Sequence, residues 1–281
     1  MSNSKSTVKI RGMDEEAENL LLKIEEVAKS SCDATKKVIP SILLTCDRGL
    51  GAEEFATEFE RILSANHVYK VRGAGTYLSL VFPRNADEKL TQRFFQSPKV
   101  VAEFQNNFYG VFSISFEEWE GSDLLMHDNF NALLTYIDNN KDNIFFVFRV
   151  TEGFKAKEEL SATLKNHINI VEVSISRPTI EMAAEYIQSC LENDGLTFSM
   201  NGKKALKSFL KRKLDMDVDE FAGYSSLKQI ANSIQFELVA EHELEDRRLQ
   251  VSDHMIKNIE SRVVIPENIT PNQGHRIGFS M

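Results

Sequence analysis

The sequence predicts an α/β fold, a doubly wound parallel five-stranded sheet flanked by helices, followed by a small all-α domain. Three observations carry that expectation. Short apolar runs alternate with helical patterns up to about residue 176. One of them, Ile144-Phe145-Phe146-Val147-Phe148, shows no polar alternation, as in a strand covered on both faces. After Ser176-Arg177-Pro178 no good strand remains, and helical spacing takes over.

A chain of 281 residues is long enough for one large domain with a smaller one behind it. Its composition, 42% hydrophobic and 27% charged, is that of an ordinary globular protein. A net charge of -9 argues against nucleic-acid binding as the main purpose. Cys32, Cys46 and Cys190 have neither metal-binding nor redox spacing, so reduced thiols in a cytoplasmic protein are expected. The N-terminus is polar, and no apolar run approaches membrane length.

Residues 1–9 read as a disordered lead. Ala17, Leu20, Leu21, Ile24, Val27 and Ala28 then mark an amphipathic helix, and a loop from Ser30 leads to a strand over Val38–Thr45. Next comes Cys46-Asp47-Arg48-Gly49-Leu50-Gly51-Ala52-Glu53-Glu54-Phe55-Ala56, a glycine-bearing turn running into a helix. That is the layout of a phosphate-binding loop. The pattern G-x-x-x-x-G-K-[ST] is nevertheless broken, because Ala52 and Glu53 follow Gly51.

Phe55, Ala56, Phe59, Ile62 and Leu63 line the next helix. His67–Val71 reads as a second strand and Thr76–Phe82 as a third strand or edge hairpin. A helical segment over 86–106, interrupted near Pro98, precedes a strand over Phe108–Phe116. Phe130, Leu133, Leu134 and Ile137 mark a helix, Ile144–Phe148 a strand, Lys155–Lys165 a helix and Ile170–Ile175 the last strand. Four helices follow: one on Ala183, Ile187 and Leu191, one on Leu206 and Phe209, one on Leu227, Ile230 and Ile234, and a short one capped by Ser252 or Asp253. The expected domains are 10–176 and 177–262, with a flexible tail over 263–281, a docking peptide being the alternative for the tail.

The order and spacing of these parts resemble the AAA+ ATPases, in particular their rubisco-activase-like and type VII secretion-associated branch. The segment from Cys46 to Ala56 aligns without gaps on a Walker A G-P-P-G-T-G-K-T-T-L-A. Tyr109-Gly110-Val111-Phe112-Ser113-Ile114 sits where the family enters Walker B, and Asn131–Asp138 resembles the helix after it. Ile10–Asp14 matches the family's short glycine-containing lead-in, and Gly223–Gln229 lies where the lid begins its third helix.

The resemblance implies a nucleotide-binding base with a helical lid, but the departures fall on the chemistry. The phosphate-contacting lysine would be Ala52 and the Mg²⁺-binding hydroxyl Glu53. The Walker B aspartate and glutamate fall on Ser115 and Phe116. The sensor 1 residue falls near Thr151, the arginine finger near His167 and the sensor 2 arginine on Ser226. Phosphoryl transfer relies on positioning and charge neutralisation, and an arginine finger alone is worth about 10³–10⁵ in rate. Glu53 and Glu54 also put carboxylates on the helix turn that should receive phosphate.

The expectation is therefore a catalytically inactive AAA+-like protein, a structural or regulatory subunit. Gly49, Gly51, Ala52 and Glu53 would mark a degenerate Walker A, and Ser115 with Phe116 a degenerate Walker B. No cofactor, metal, nucleic acid or membrane is expected, and the partner would be a second copy or an active AAA+ relative. The alternative is a divergent NTPase that uses Glu117 and Glu118 in place of the Walker B acids. Three further features have plain readings beside functional ones. Trp119 is a half-buried residue or a partner anchor, and Gly73-Ala74-Gly75 is a hairpin turn or a weak phosphate loop. The cluster of Lys203, Lys204, Lys207, Lys211, Arg212 and Lys213 is a solvated helix face or an anion site.

Overall fold

The computed structural model describes residues 13–30, 38–69, 76–82, 110–119, 121, 123–216, 223–241 and 250–260. The chain divides into two compact units, Met1–Arg177 and Pro178–Met281.

In the first unit, β1 (Ser41–Cys46), β2 (Thr76–Val81), β3 (Gly110–Ser115), β4 (Ile144–Val150) and β5 (Ile170–Ile175) form one sheet. Its order is β2-β3-β4-β1-β5, with every neighbouring pair parallel. Among the described residues its helices are α1 (Glu15–Ala28), α2 (Ala52–Ala65), α3 (Asp128–Asn140) and α4 (Lys157–Lys165). Asp14 caps α1 through Glu16 N–H, and its other carboxylate oxygen accepts from the hydroxyl (2.5 Å) and N–H (3.2 Å) of Ser176. One side chain thus starts a helix and ties it to the end of β5.

The two faces of the sheet differ in chemistry. Strand side chains alternate between faces, and Phe112, Ile114, Phe116, Phe146 and Phe148 share one core with Leu133 of α3 and with Leu160 and Leu164 of α4. Phe148 stacks on both Phe116 and Phe146. The opposite face, under α2, holds Phe145 edge-on to Phe59. It also carries Tyr77, Ser79, Ser113, Ser115 and Arg149, whose register sets Ser79 beside Ser113 and Ser115 beside Arg149.

One expected strand, His67–Val71, is not formed over its described residues 67–69, Lys70 and Val71 lying outside the described residues. His67 sits in a left-handed turn at φ 52°, and the N–H groups of His67 and Val68 are spent on the carbonyls of Ser64 and Leu63 at the end of α2. Donors committed to closing a helix are not free for a sheet ladder. The second strand is Thr76–Val81 instead, at the edge of the sheet. The 86–106 segment, Gly73–Gly75, Cys32, the 1–9 lead and the 263–281 tail lie outside the described residues.

The second unit contains α5 (Ile180–Asn193), α6 (Met200–Met216), α7 (Gly223–Glu241) and α8 (Asp253–Glu260). It also has a feature too short to show periodicity: β6 (Thr197–Phe198) pairs in parallel with β7 (Gln250–Val251). Each strand runs through one serine into a helix. Ser199 Oγ accepts from Gly202 N–H at 2.9 Å ahead of α6, and Ser252 Oγ from Met255 N–H at 3.4 Å ahead of α8. The pair therefore starts both helices from the same end. Gly202 makes the approach close enough, since a Cβ there would meet the Val251 carbonyl oxygen at 2.3 Å.

Candidate functional site

In an open parallel sheet, ligands bind beyond the carboxyl ends of the strands, where neighbouring strands send their connections in opposite directions. Here that point lies between β1, whose chain departs toward β2, and β4, whose chain crosses to β5. The loop after β1 occupies it. Gly49 and Gly51 take left-handed conformations at φ 82° and 103°, Leu50 N–H donates to the Asp47 carbonyl at 3.2 Å, and Gly51 stands at the N-cap of α2 without a side-chain cap. The glycines are needed, because other residues rarely adopt φ values of this kind. The turn geometry anticipated from the sequence is present.

The protein's own groups bridge the crevice twice. Asp47 Oδ1 accepts from Glu152 N–H, just beyond β4, at 3.1 Å. Glu53 Oε1 accepts from Arg149 at the end of β4 at 2.7 Å, and from the Ser79 hydroxyl at 2.9 Å. Its second oxygen accepts from the Tyr77 hydroxyl. The Glu53 side chain keeps 48% exposure while that of Arg149 keeps 12%, so the guanidinium is the more deeply committed partner. Burial, and then the Glu53 carboxylate, push the Tyr77 phenol up to about 12. Burial likewise pushes the Cys46 thiol up to about 12, with the Arg149 charge opposing it.

Ala52 opens α2 and offers no charge. Ser115 is buried on the Arg149 face, and its hydroxyl accepts from Glu117 N–H at 3.4 Å. Phe116 points into the aromatic core, away from the crevice. Glu117 and Glu118 are exposed beyond β3. Thr151 follows β4. His167 lies after α4, where its Nδ1 is 2.8 Å from Asp138. Ser226 is buried in the first turns of α7. Trp119 is neither half-buried nor available as an anchor: it is 2% exposed, and its indole N–H donates to the Phe82 carbonyl at 2.9 Å.

The structure thus brings Glu53 together with Arg149, Tyr77 and Ser79, none of which was singled out from the sequence. A signal was present for Arg149, a lone charge at the end of the most apolar strand, since a buried charge needs a partner. Tyr77 and Ser79 gave none, because the identity of their strand was itself unsettled.

Comparison with protein-family models returns no match, and comparison with curated proteins returns none either. Solved structures do match. A RuvB variant from Thermotoga maritima aligns over 89% of this chain and 70% of its own at 14% identity and a TM-score of 0.50. A second structure, the T. maritima RuvB Holliday junction branch migration motor, aligns over the same shares at 12% identity and 0.49. RuvB is an AAA+ ATPase. The fold here is AAA+-like. At such identities the likeness concerns the fold alone. Among the described residues, no helix is long and apolar enough to cross a membrane.

Proposed function

We propose that this chain is a catalytically inactive AAA+-like protein, a structural or regulatory subunit that acts through protein–protein contacts and does not bind nucleotide. The observation that carries this reading is the contact of Glu53 with Arg149. Glu53 stands where the family resemblance puts the metal-binding hydroxyl. Its carboxylate is already neutralised by a guanidinium fixed to the sheet, so a divalent cation would find the position taken by another positive charge. An incoming triphosphate would meet Glu53 and Glu54 at the start of α2, where Ala52 and not a lysine precedes them in the chain. The scaffold, with its glycine turn and parallel sheet, supports a role in which shape is kept and chemistry is dispensed with. The proposed partner is a second copy or a motif-intact AAA+ protein.

Thermal melting with and without Mg-ATP, Mg-ADP and Mg-GTP tests the reading. The expected result is an unchanged Tm with each, because a ligand that binds only the folded state raises Tm. A saturable rise of several degrees with any of the three overturns it. Affinity purification from the native cell is expected to retrieve a motif-intact AAA+ protein or to show a homo-oligomer.

A further inference from the structure

The loop between β3 and α3 is fastened by a histidine. His127 stands at the N-cap of α3, and its Nδ1 accepts from Asn129 N–H at 3.2 Å. A backbone N–H can only donate, so this nitrogen carries no proton and the ring keeps its hydrogen on Nε2. The same ring meets Trp119 edge-on, with centroids 5.2 Å apart, and Trp119 in turn donates to the Phe82 carbonyl. One imidazole thus starts α3 and packs on the indole that joins the ends of β2 and β3. The arrangement behind it is costly. The Asn129 side chain is fully buried, and neither its oxygen nor its nitrogen has a hydrogen-bond partner among the described residues. Unwinding the first turn of α3 would return that amide to water.

We propose that His127 is a pH-sensitive latch, whose protonation releases the start of α3 and uncovers Trp119. An imidazole changes charge within about pH 5–8. The imidazolium has two N–H donors and no acceptor, so the proton and the Asn129 hydrogen bond compete for one lone pair. A positive ring would also face the positive end of the α3 dipole. The charged groups of the described loop and first turn are Glu117, Glu118, Asp123 and Asp128, all exposed. Their attraction for a cation is screened by water, whereas the Nδ1 hydrogen bond is lost outright. β2 carries no charged residue, Arg149 of β4 is committed to Glu53, and among the described residues none forms an ion pair with His127. Acid therefore opens the loop instead of trading one contact for another. Met126 is already 84% exposed, so the opened stretch presents Met126, Leu124 and Trp119 as an apolar surface. The latch lies beyond β3 and stands whether or not the loop after β1 binds nucleotide.

Trp119 is the chain's one tryptophan, so the emission of the full chain reports this loop directly. Between about pH 8 and about pH 5.5, wild-type emission is expected to shift to the red by several nanometres as the indole meets water. His127→Asn keeps an N-cap acceptor that does not titrate, and its emission is expected to stay in place. His167→Gln alters a second histidine that contacts α3, through Asp138, and should leave the wild-type shift intact. Hydrogen exchange gives a second readout at Phe130 N–H, which donates to the His127 carbonyl at 2.9 Å. At the acid pH it should be about tenfold faster in the wild type than in His127→Asn, and at the alkaline pH equal. Circular dichroism and melting at the alkaline pH establish that each variant is folded. Should His127→Asn not fold, NMR of the wild type gives the answer, since the Asn129 amide resonance is expected to move with the same midpoint as the His127 ring. A red shift that persists in His127→Asn overturns the proposal. So does wild-type emission that does not move, or an Asn129 amide indifferent to the titration of the ring.

Discussion

Glu53 and Arg149, 96 positions apart in the chain, meet at 2.7 Å across the carboxyl ends of β1 and β4. The contact is asymmetric, because the Glu53 side chain is 48% exposed and that of Arg149 only 12%. Removing Glu53 strands a nearly buried cation, whereas removing Arg149 leaves a carboxylate that water can reach. Glu53→Ala is therefore expected to destabilise the fold by about 2–3 kcal/mol and Arg149→Met by about 1 kcal/mol or less. Urea unfolding of the two variants and of the double variant measures both costs and their coupling. Equal costs would contradict the asymmetry.

The Cys46 thiol, pushed up to about 12 by burial, should be inert at pH 8, with a thiolate fraction roughly a thousandfold below that of an ordinary cysteine. In a Cys32→Ser background, a disulfide-exchange reagent is expected to label the half-buried Cys190 first, and Cys46 only as the chain unfolds. Mass spectrometry of timed samples gives the order. Early labelling of Cys46 would contradict its burial.

On the far edge of the sheet, Glu172 of β5 accepts from the Ser161 hydroxyl of α4 at 2.6 Å and from Lys165 at 2.9 Å. The Ser161 hydrogen bond is the leading cause that holds this carboxyl below the ordinary glutamate range. A carboxyl lowered in the folded state contributes stability above its unfolded pKa and loses it as pH falls through the folded value. Ser161→Ala should thus raise the Glu172 midpoint in an NMR titration. It should cost about 1 kcal/mol or less near neutral pH, since the carboxylate is partly exposed, and the difference from wild type should shrink in acid.

Gly202→Ala should be far more damaging than Gly121→Ala. At Gly202 the new Cβ would meet the Val251 carbonyl oxygen at 2.3 Å, whereas at Gly121 nothing lies within 4 Å. The expected costs are about 2–4 kcal/mol and near zero. Chemical denaturation compares them directly.

What could be read in the sequence was whatever repeats. Ile144–Phe148 announced a strand covered on both sides, and it is the centre of the sheet. Gly49 and Gly51 announced a turn into a helix because their conformations admit few other residues. What could not be read was decided by partners distant in the chain. His67 and Val68 look like strand residues until their N–H groups are seen closing α2. β6 and β7, at two residues each, are too short to leave a period. Arg149 was visible as an oddity, but its meaning depended on Glu53, and no local pattern joins the two.

The β6–β7 pair has a consequence for the order in which the second unit is completed. Its strands are separated by about fifty residues, so closing the pair carries a loop-entropy cost that adjacent helices do not meet. Until Gln250 and Val251 are in place, Ser199 N–H lacks the Val251 carbonyl and α6 lacks α8 along its flank. During synthesis α5, α6 and α7 emerge ahead of the residues that fasten them together, and this unit reaches its finished form only when the stretch through Glu260 has left the ribosome.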